Sequence, residues 1–201
     1  VGEGARCVVA CERVELFARS GSIGTSTAPL TVQAAGTQTR LTGKAGATLN
    51  FVQASGNLLV DELSVTGAAT LTVAEGALLG TSAGGRSDLA AASLALSAST
   101  GIGRAGLSGG LTGPLAILAP TLQAAVAGGD LRIDSRSSLA LDRQGISLAG
   151  GGSVVIRSAG TLDIAAPVRA AGNQAMVSLT ASGSVVLRGA QAVEAPGGAI
   201  E

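Results

Sequence analysis

The side chains best suited to acid–base chemistry in this sequence are four aspartates, Asp130, Asp134, Asp142 and Asp163. Two carboxylates can cleave a glycosidic bond when they lie about 5 to 9.5 Å apart. Along one strand Asp130 and Asp134 would be about 13 Å apart, which is too far. The interval from Asp142 to Asp163 is close to one predicted coil, which would bring these two onto neighbouring turns. The alternative to a catalytic pair is that all four carboxylates are solvated charges on the surface.

Three arginines form a second candidate site. Arg132, Arg157 and Arg188 each follow an apolar strand of similar form, and the two intervals between them are each near one coil in length. If each interval corresponds to one coil, the three side chains line up as a basic stripe. The stripe would contact an anionic glycan or a neighbouring filament, or it would only keep the surface soluble.

The two cysteines, Cys7 and Cys11, lie close together in the sequence. With a turn between them they could close a small disulfide loop, whereas an unbent strand holds them too far apart. Two buried thiols in a strand are the alternative. The pattern therefore predicts a possible disulfide, and it predicts no metal site because further ligands are missing.

Several classes of function are excluded by composition. The chain has no histidine, no tryptophan, no tyrosine and two phenylalanines. A Ser-His-Asp triad and a histidine-bound metal need histidine, and a platform for single-stranded nucleic acid needs aromatic rings. The 13 basic and 13 acidic residues give a net charge of zero, which argues against binding a phosphate backbone. We expect no enzyme activity, no cofactor and no nucleic-acid partner.

The mean hydropathy of +0.48 is high, but it does not predict a membrane span. The longest uncharged stretch, residues 105–129, is broken by glycines and by Pro114 and Pro120, whereas a spanning helix needs about 20 uninterrupted apolar residues. The chain begins at Val1 and ends in the middle of its pattern. We therefore expect residues 1–201 to be a single segment of a longer protein.

The main structural signal is a series of short alternating strands separated by glycine-rich turns. Examples are 71–73, 94–96, 131–133, 154–156 and 177–179. Their period of two predicts strands, and the turns between them predict changes of chain direction. Alanine favours helix, so residues 89–100 have a helical alternative, which the surrounding pattern disfavours.

Small apolar residues and the scarcity of aromatics favour a parallel β-solenoid. Coils that stack at about 4.8 Å form a narrow tube that leucine, valine, isoleucine and alanine can fill. A sandwich would need larger core residues and hairpin dipeptides such as Asn-Gly, which this chain lacks. We predict an all-β fold with coils of about 20 residues, which gives about ten coils and a rod of about 48 Å.

Two related motifs lie near residues 15–36 and 94–121. In both, an alternating strand is followed by an Ile-Gly pair and then by a Pro-Leu pair: Ile23 and Pro29 in the first, Ile102 and Pro114 in the second. The second copy contains an insertion near 105–110. A fixed motif with insertions is typical of repeat architectures, so we expect a loop at 104–113.

Residues 21–34 (GSIGTSTAPLTVQA), together with 54–60 (ASGNLLV), 127–135 (AGGDLRIDS) and 181–189 (ASGSVVLRG), carry a resemblance. They resemble the repeat region of filamentous-haemagglutinin-like large exoproteins, which are secreted adhesins of Gram-negative bacteria. The resemblance implies a right-handed parallel β-helix shaft on the cell surface, exported through an outer-membrane transporter by a two-partner or autotransporter route. It supplies no catalytic or binding residues.

The resemblance and the composition together predict a stiff spacer that displays adhesive regions of a parent protein. The parent would contact a host or neighbouring cell surface or its glycans. Two alternatives stay open: a carbohydrate-active β-helix enzyme or glycan-binding domain, and a module that self-associates into an extracellular matrix fibre. A cluster of acids on adjacent coils would favour the enzyme.

Overall fold

The computed structural model describes residues 9–82, 86–105, 111–172, 175–188, 193–196 and 198–201. These residues form strands, turns and bends, with no helix among them. The strands of the first half are β1 (Val9–Cys11), β2 (Arg13–Ala18), β3 (Leu30–Ala34), β4 (Gln38–Ala45), β5 (Leu49–Gln53), β6 (Asn57–Val65), β7 (Ala68–Val73), β8 (Ala77–Gly80), β9 (Leu89–Ala90), β10 (Ser93–Ala98) and β11 (Gly101–Ala105).

The strands of the second half are β12 (Leu111–Gly113), β13 (Leu115–Leu118), β14 (Thr121–Val126), β15 (Leu131–Ser135), β16 (Leu139–Leu148), β17 (Ser153–Ser158), β18 (Leu162–Ile164), β19 (Val168–Ala170), β20 (Met176–Ala181), β21 (Val185–Leu187), β22 (Val193–Glu194) and β23 (Ala199–Ile200). Strand β10 replaces the helical alternative at 89–100, because its Leu94, Leu96 and Ala98 alternate into the core while its backbone bonds to β7 and β14.

The strands form two sheets, and the chain passes from one to the other along each coil. Sheet I has eleven strands in the order β1-β3-β5-β7-β10-β14-β16-β18-β21, with β19 beside β16 and β22 beside β19. Sheet II has twelve strands in the order β12-β11-β8-β6-β9-β13-β15-β17-β20-β23, with β4 beside β6 and β2 beside β4. Among the described residues every strand pairing is parallel except that of β11 with β12. The predicted all-β parallel β-helix is therefore confirmed.

A single register column in sheet I measures the length of the solenoid. It runs through Val9, Val32, Gln53, Val73, Ala98, Val126, Leu148 and Ala170. Its seven steps give a rod of about 34 Å, shorter than the predicted 48 Å. One further step, from Val168 to Val193, brings the stack to about 38 Å, and it remains shorter than predicted because most coils contain more residues than expected. Coil length also varies, since Leu115 pairs with Ile133 but Ile102 pairs with the more distant Leu131.

The core is a stack of aliphatic side chains with one ring. Leu41, Leu49, Leu58 and Leu71 are fully buried, and Phe51 is the only buried aromatic among the described residues. Each apolar side chain packs between its neighbours on the coils before and after it. This confirms the expected narrow tube, in which aliphatic ladders bury apolar surface without bulky residues.

Glycines occupy the corner between sheet I and sheet II because neighbouring coils approach closely there. Gly129 has a φ of 74° and Gly152 has a φ of 150°, both in the region that side chains disfavour. A Cβ at Gly152 would collide with the carbonyl oxygen of Gly129 on the previous coil. The expected glycine-rich corners are confirmed. Glycine is needed there because neighbouring coils stack closely and because φ is positive.

The two related motifs lie at different positions on the coil. In the first, the strand before Ile23 belongs to sheet II and Leu30 belongs to sheet I. In the second, the strand before Ile102 belongs to sheet I and Leu115 belongs to sheet II. The two motifs are similar in sequence, but they do not occupy equivalent positions on the coil. The extra length of the second copy falls at the antiparallel pair β11 and β12, and residues 106–110 lie outside the described residues.

Candidate functional site

Three of the four aspartates, Asp130, Asp134 and Asp163, have described side chains, and these three form no catalytic pair. Asp134 lies in β15, where its partners on neighbouring coils are Ala116 and Arg157. Asp163 lies in β18, with Ala140 and Val186 beside it. Asp142 and Asp163 lie on neighbouring coils, as expected, because β16 pairs with β18, but they are not opposite each other, since the register places Ala140 opposite Asp163. The side chain of Asp142 lies outside the described part of the chain.

The other three aspartates of this group each contact an arginine instead. Asp130 Oδ2 accepts a hydrogen bond from Arg132 Nη2 at 2.6 Å, and its Oδ1 accepts one from the backbone N–H of Ser153 at 2.9 Å. Asp134 lies 3.4 Å from Arg136. These pairs neutralise the carboxylates and fix their positions, and none leaves two carboxylates facing each other for general acid–base work.

The expected basic stripe of Arg132, Arg157 and Arg188 is not formed. Arg132 pairs in register with Val155, and Arg157 pairs with Asp134, so these two arginines lie on different columns of sheet II. Arg188 follows β21 on sheet I, where its Nε contacts both oxygens of Asp163 at 2.8 and 2.6 Å. The intervals between the arginines failed as predictors because the first does not match the constant spacing of Leu131, Val154 and Val177 along sheet II, and the second leads from sheet II to sheet I.

Ion pairs that join neighbouring coils are the feature that the sequence did not reveal. They connect Arg40 with Asp61, Arg86 with Glu62, Arg169 with Glu194 and Arg188 with Asp163. The two partners of each pair are separated in the sequence by about one coil. Opposite charges on adjacent strands stabilise a sheet, so these pairs hold successive coils together on the outside.

A buried carboxylate, Asp88, ties three stretches of chain together. It is fully buried, and it accepts hydrogen bonds from the backbone N–H groups of Thr81, Ser82 and Ala116 at 2.9, 2.6 and 2.9 Å. Three such donors compensate a carboxylate for its desolvation. A single aspartate before an apolar strand has no distinctive pattern, so the role of Asp88 was not predictable from the sequence.

A short polar chain also runs through the core at the first coils. Thr39 Oγ1 donates to the carbonyl oxygen of Cys11, and Gln53 Nε2 donates to Thr39 Oγ1 and to the carbonyl oxygen of Ser55. Gln53 Oε1 is buried without a hydrogen-bond partner in the described part of the chain. These contacts join three coils, at the cost of one unsatisfied acceptor.

The possible disulfide of Cys7 with Cys11 stays a prediction, because Cys7 lies outside the described residues. Cys11 is half-buried at the end of β1. Burial raises the pKa of the Cys11 thiol above its usual value. A raised pKa lowers the fraction of reactive thiolate at neutral pH, so Cys11 is poorly suited to act as a nucleophile.

A shallow groove lies on the outer face of sheet I. Its lining includes Thr70, Thr72, Ser97, Gln123 and Ser147, and no lining residue carries a charge. Thr72 and Ser97 lie on one register column, which Ser147 continues two coils further on. The groove offers hydroxyl and amide groups, which can hydrogen-bond a neutral ligand but cannot transfer a proton near neutral pH.

Comparisons with known proteins assign no family. No family model, no curated protein and no solved structure matches the chain significantly. Within the described residues there is no cluster of three metal-ligating side chains. None of the described residues belongs to a helix that could cross a membrane. The candidate features of this chain are therefore its inter-coil contacts and its outer faces.

Proposed function

We propose that this chain is a stiff spacer within a large secreted surface adhesin of a Gram-negative bacterium. The observation that carries the proposal is the uninterrupted register column from Val9 to Ala170. Each coil bonds to the next over the whole column, so bending would break backbone hydrogen bonds. A rod of this kind keeps the regions of the parent protein at its two ends apart. This role requires no binding or catalytic site on the rod.

The charge distribution supports the same proposal. Six arginine–carboxylate pairs lie on the outer surface of the described residues, and they leave the rod with little unbalanced charge along most of its length. Such a surface keeps a secreted fibre soluble. Folding of coil after coil outside the cell would favour export through an outer-membrane transporter.

The location is tested by placing an antibody epitope in the turn at Gly151, which is exposed and has open space around its Cα. On intact cells that make the parent protein, the antibody should bind without permeabilisation. Binding only after lysis would overturn the surface location.

The spacer role is tested by changing the number of coils. Residues 131–153 form one complete coil, because Leu131 and Val154 are partners in register. One extra copy of this unit should lengthen the rod by about 4.8 Å, and five extra copies by about 24 Å, in small-angle X-ray scattering. Cell adhesion by the parent should survive the duplications. Loss of adhesion in a duplicated but folded rod would indicate that the segment itself carries the binding surface.

A further inference from the structure

Charged residues that lie directly opposite each other on adjacent coils have opposite signs, with one exception. Among the described residues three register pairs carry charge on both strands. Asp134 faces Arg157, and Arg169 faces Glu194. In the third pair, Arg13 on β2 faces Arg40 on β4. Like charges directly opposite each other destabilise a sheet, so this pair calls for a physical reason.

Both guanidinium groups lie on the outer face of sheet II. Arg40 stands between Thr39 and Leu41, which are fully buried, so its own side chain points outward. Arg13 is also exposed, and it precedes the half-buried Val14. Their strands are about 4.8 Å apart, which places two forks of N–H donors side by side.

The two arginines have few anionic contacts of their own. Arg13 makes no ion pair with any described residue. Arg40 Nη1 lies 3.4 Å from Asp61 Oδ2, which is long for a charge-assisted hydrogen bond. The two positive charges are therefore only partly compensated.

A surface depression holds both arginines together with further hydrogen-bonding groups. Thr37 and Gln38 line it, and both are exposed. Glu12 is the one acidic residue in the lining, against two arginines. The depression therefore keeps a net positive charge and offers both guanidinium and neutral polar groups.

We propose that the Arg13–Arg40 pair binds a phosphate monoester. Such a group carries about 1.5 to 2 negative charges and three terminal oxygens, so it can accept from both guanidinium forks and compensate both charges. A carboxylate has one charge and two oxygens, which satisfy only one fork. The site is independent of the spacer role, because it lies on the outer face and needs no change in the stacking of coils.

The test is titration of the whole chain with phenyl phosphate, followed by phosphorus NMR and by thermal unfolding in circular dichroism. The variants are R13Q, R40Q and D61N, with R19Q as the matched control. Arg19 is exposed and belongs to the same coil, but it lies outside the depression, so R19Q removes the same charge without touching the site.

The expected result is saturable binding that weakens about tenfold in R13Q and in R40Q and is unchanged in R19Q. D61N should bind about threefold more tightly, because Arg40 is released from its carboxylate. Equal weakening in R19Q would overturn the site, since it would show a general effect of surface charge. A response that sodium chloride or acetate of equal ionic strength reproduces would overturn it as well. Thermal unfolding of each variant without ligand shows that the fold is kept.

Discussion

The last three coils and the first two coils of the solenoid differ in regularity. In the last coils Leu131, Val154, Val177 and Ile200 follow one another at a constant interval along the sequence. In sheet II of the first coils, by contrast, the interval from Arg13 to Arg40 is longer than the interval from Arg40 to Leu59. When the coils have a constant length, residues that recur at that interval in the sequence face each other on adjacent coils. When the coil length varies, they do not.

The surfaces of the two regions follow from this difference. The regular region pairs Arg188 with Asp163 and Arg169 with Glu194 across coils. The irregular region opposes Arg13 with Arg40, and it leaves Phe17 with 70% of its surface exposed. Opposite charges meet across coils in the regular region, whereas two like charges meet in the irregular region, where an anion could compensate them. Large apolar side chains are exposed in both regions, since Leu187 and Ile200 of the last coils are also exposed.

The largest effect should come from breaking a corner in the regular region. Gly152→Val places a side chain against the carbonyl of Gly129 at a φ of 150°, and should lower the free energy of unfolding by about 4 kcal/mol. Gly36→Val at the equivalent corner of the irregular region should cost little, because a Cβ there has nothing within 4 Å. Urea unfolding followed by circular dichroism measures both.

The control within the regular region is Gly151→Ala, where a Cβ also meets nothing within 4 Å. It separates the effect of the collision from that of losing a flexible residue. Equal destabilisation by Gly152→Val and Gly36→Val would show that the collision with Gly129 is not the cause of the loss, and the prediction would fail.

A second large effect is expected between the two regions, at Asp88. Asp88→Ala removes the acceptor of three backbone N–H groups and should lower the free energy of unfolding by about 3 kcal/mol. Asp88→Asn keeps one acceptor oxygen and should cost less. Glu75→Ala, at an exposed acid, is the control and should be close to neutral in the same urea titration. Similar losses for Asp88→Ala and Glu75→Ala would contradict the structural role of the buried carboxylate.

The fold was predictable from the sequence, whereas the contacts between coils were not. Alternation such as Leu94-Ala95-Leu96 identifies a strand by itself, because the inward positions depend only on a period of two. Which residues face each other depends on the length of every coil, and that length differs from one coil to the next. A small error in the predicted coil length was enough to predict Asp142 opposite Asp163, whereas Ala140 is the residue that lies there. Bulges and the insertion near 105–110 set these lengths, and a single sequence does not reveal their effect on register.

The smallest expected effect gives the sharpest test. The same substitution, arginine to glutamine, should change the free energy of unfolding with opposite signs in the two regions. Arg188→Gln breaks an exposed pair with Asp163 and should destabilise the chain by about 0.5 kcal/mol. Arg13→Gln removes a like-charge contact with Arg40 and should stabilise it by about 0.3 kcal/mol in the absence of phosphate. Both differences, measured by urea unfolding, should shrink in about 1 M salt, because screening weakens attraction and repulsion alike. If Arg13→Gln destabilises the chain to the same extent as Arg188→Gln, the Arg13–Arg40 contact is not repulsive. The chain would then already satisfy both charges, and the physical reason for an external anion at that pair would disappear.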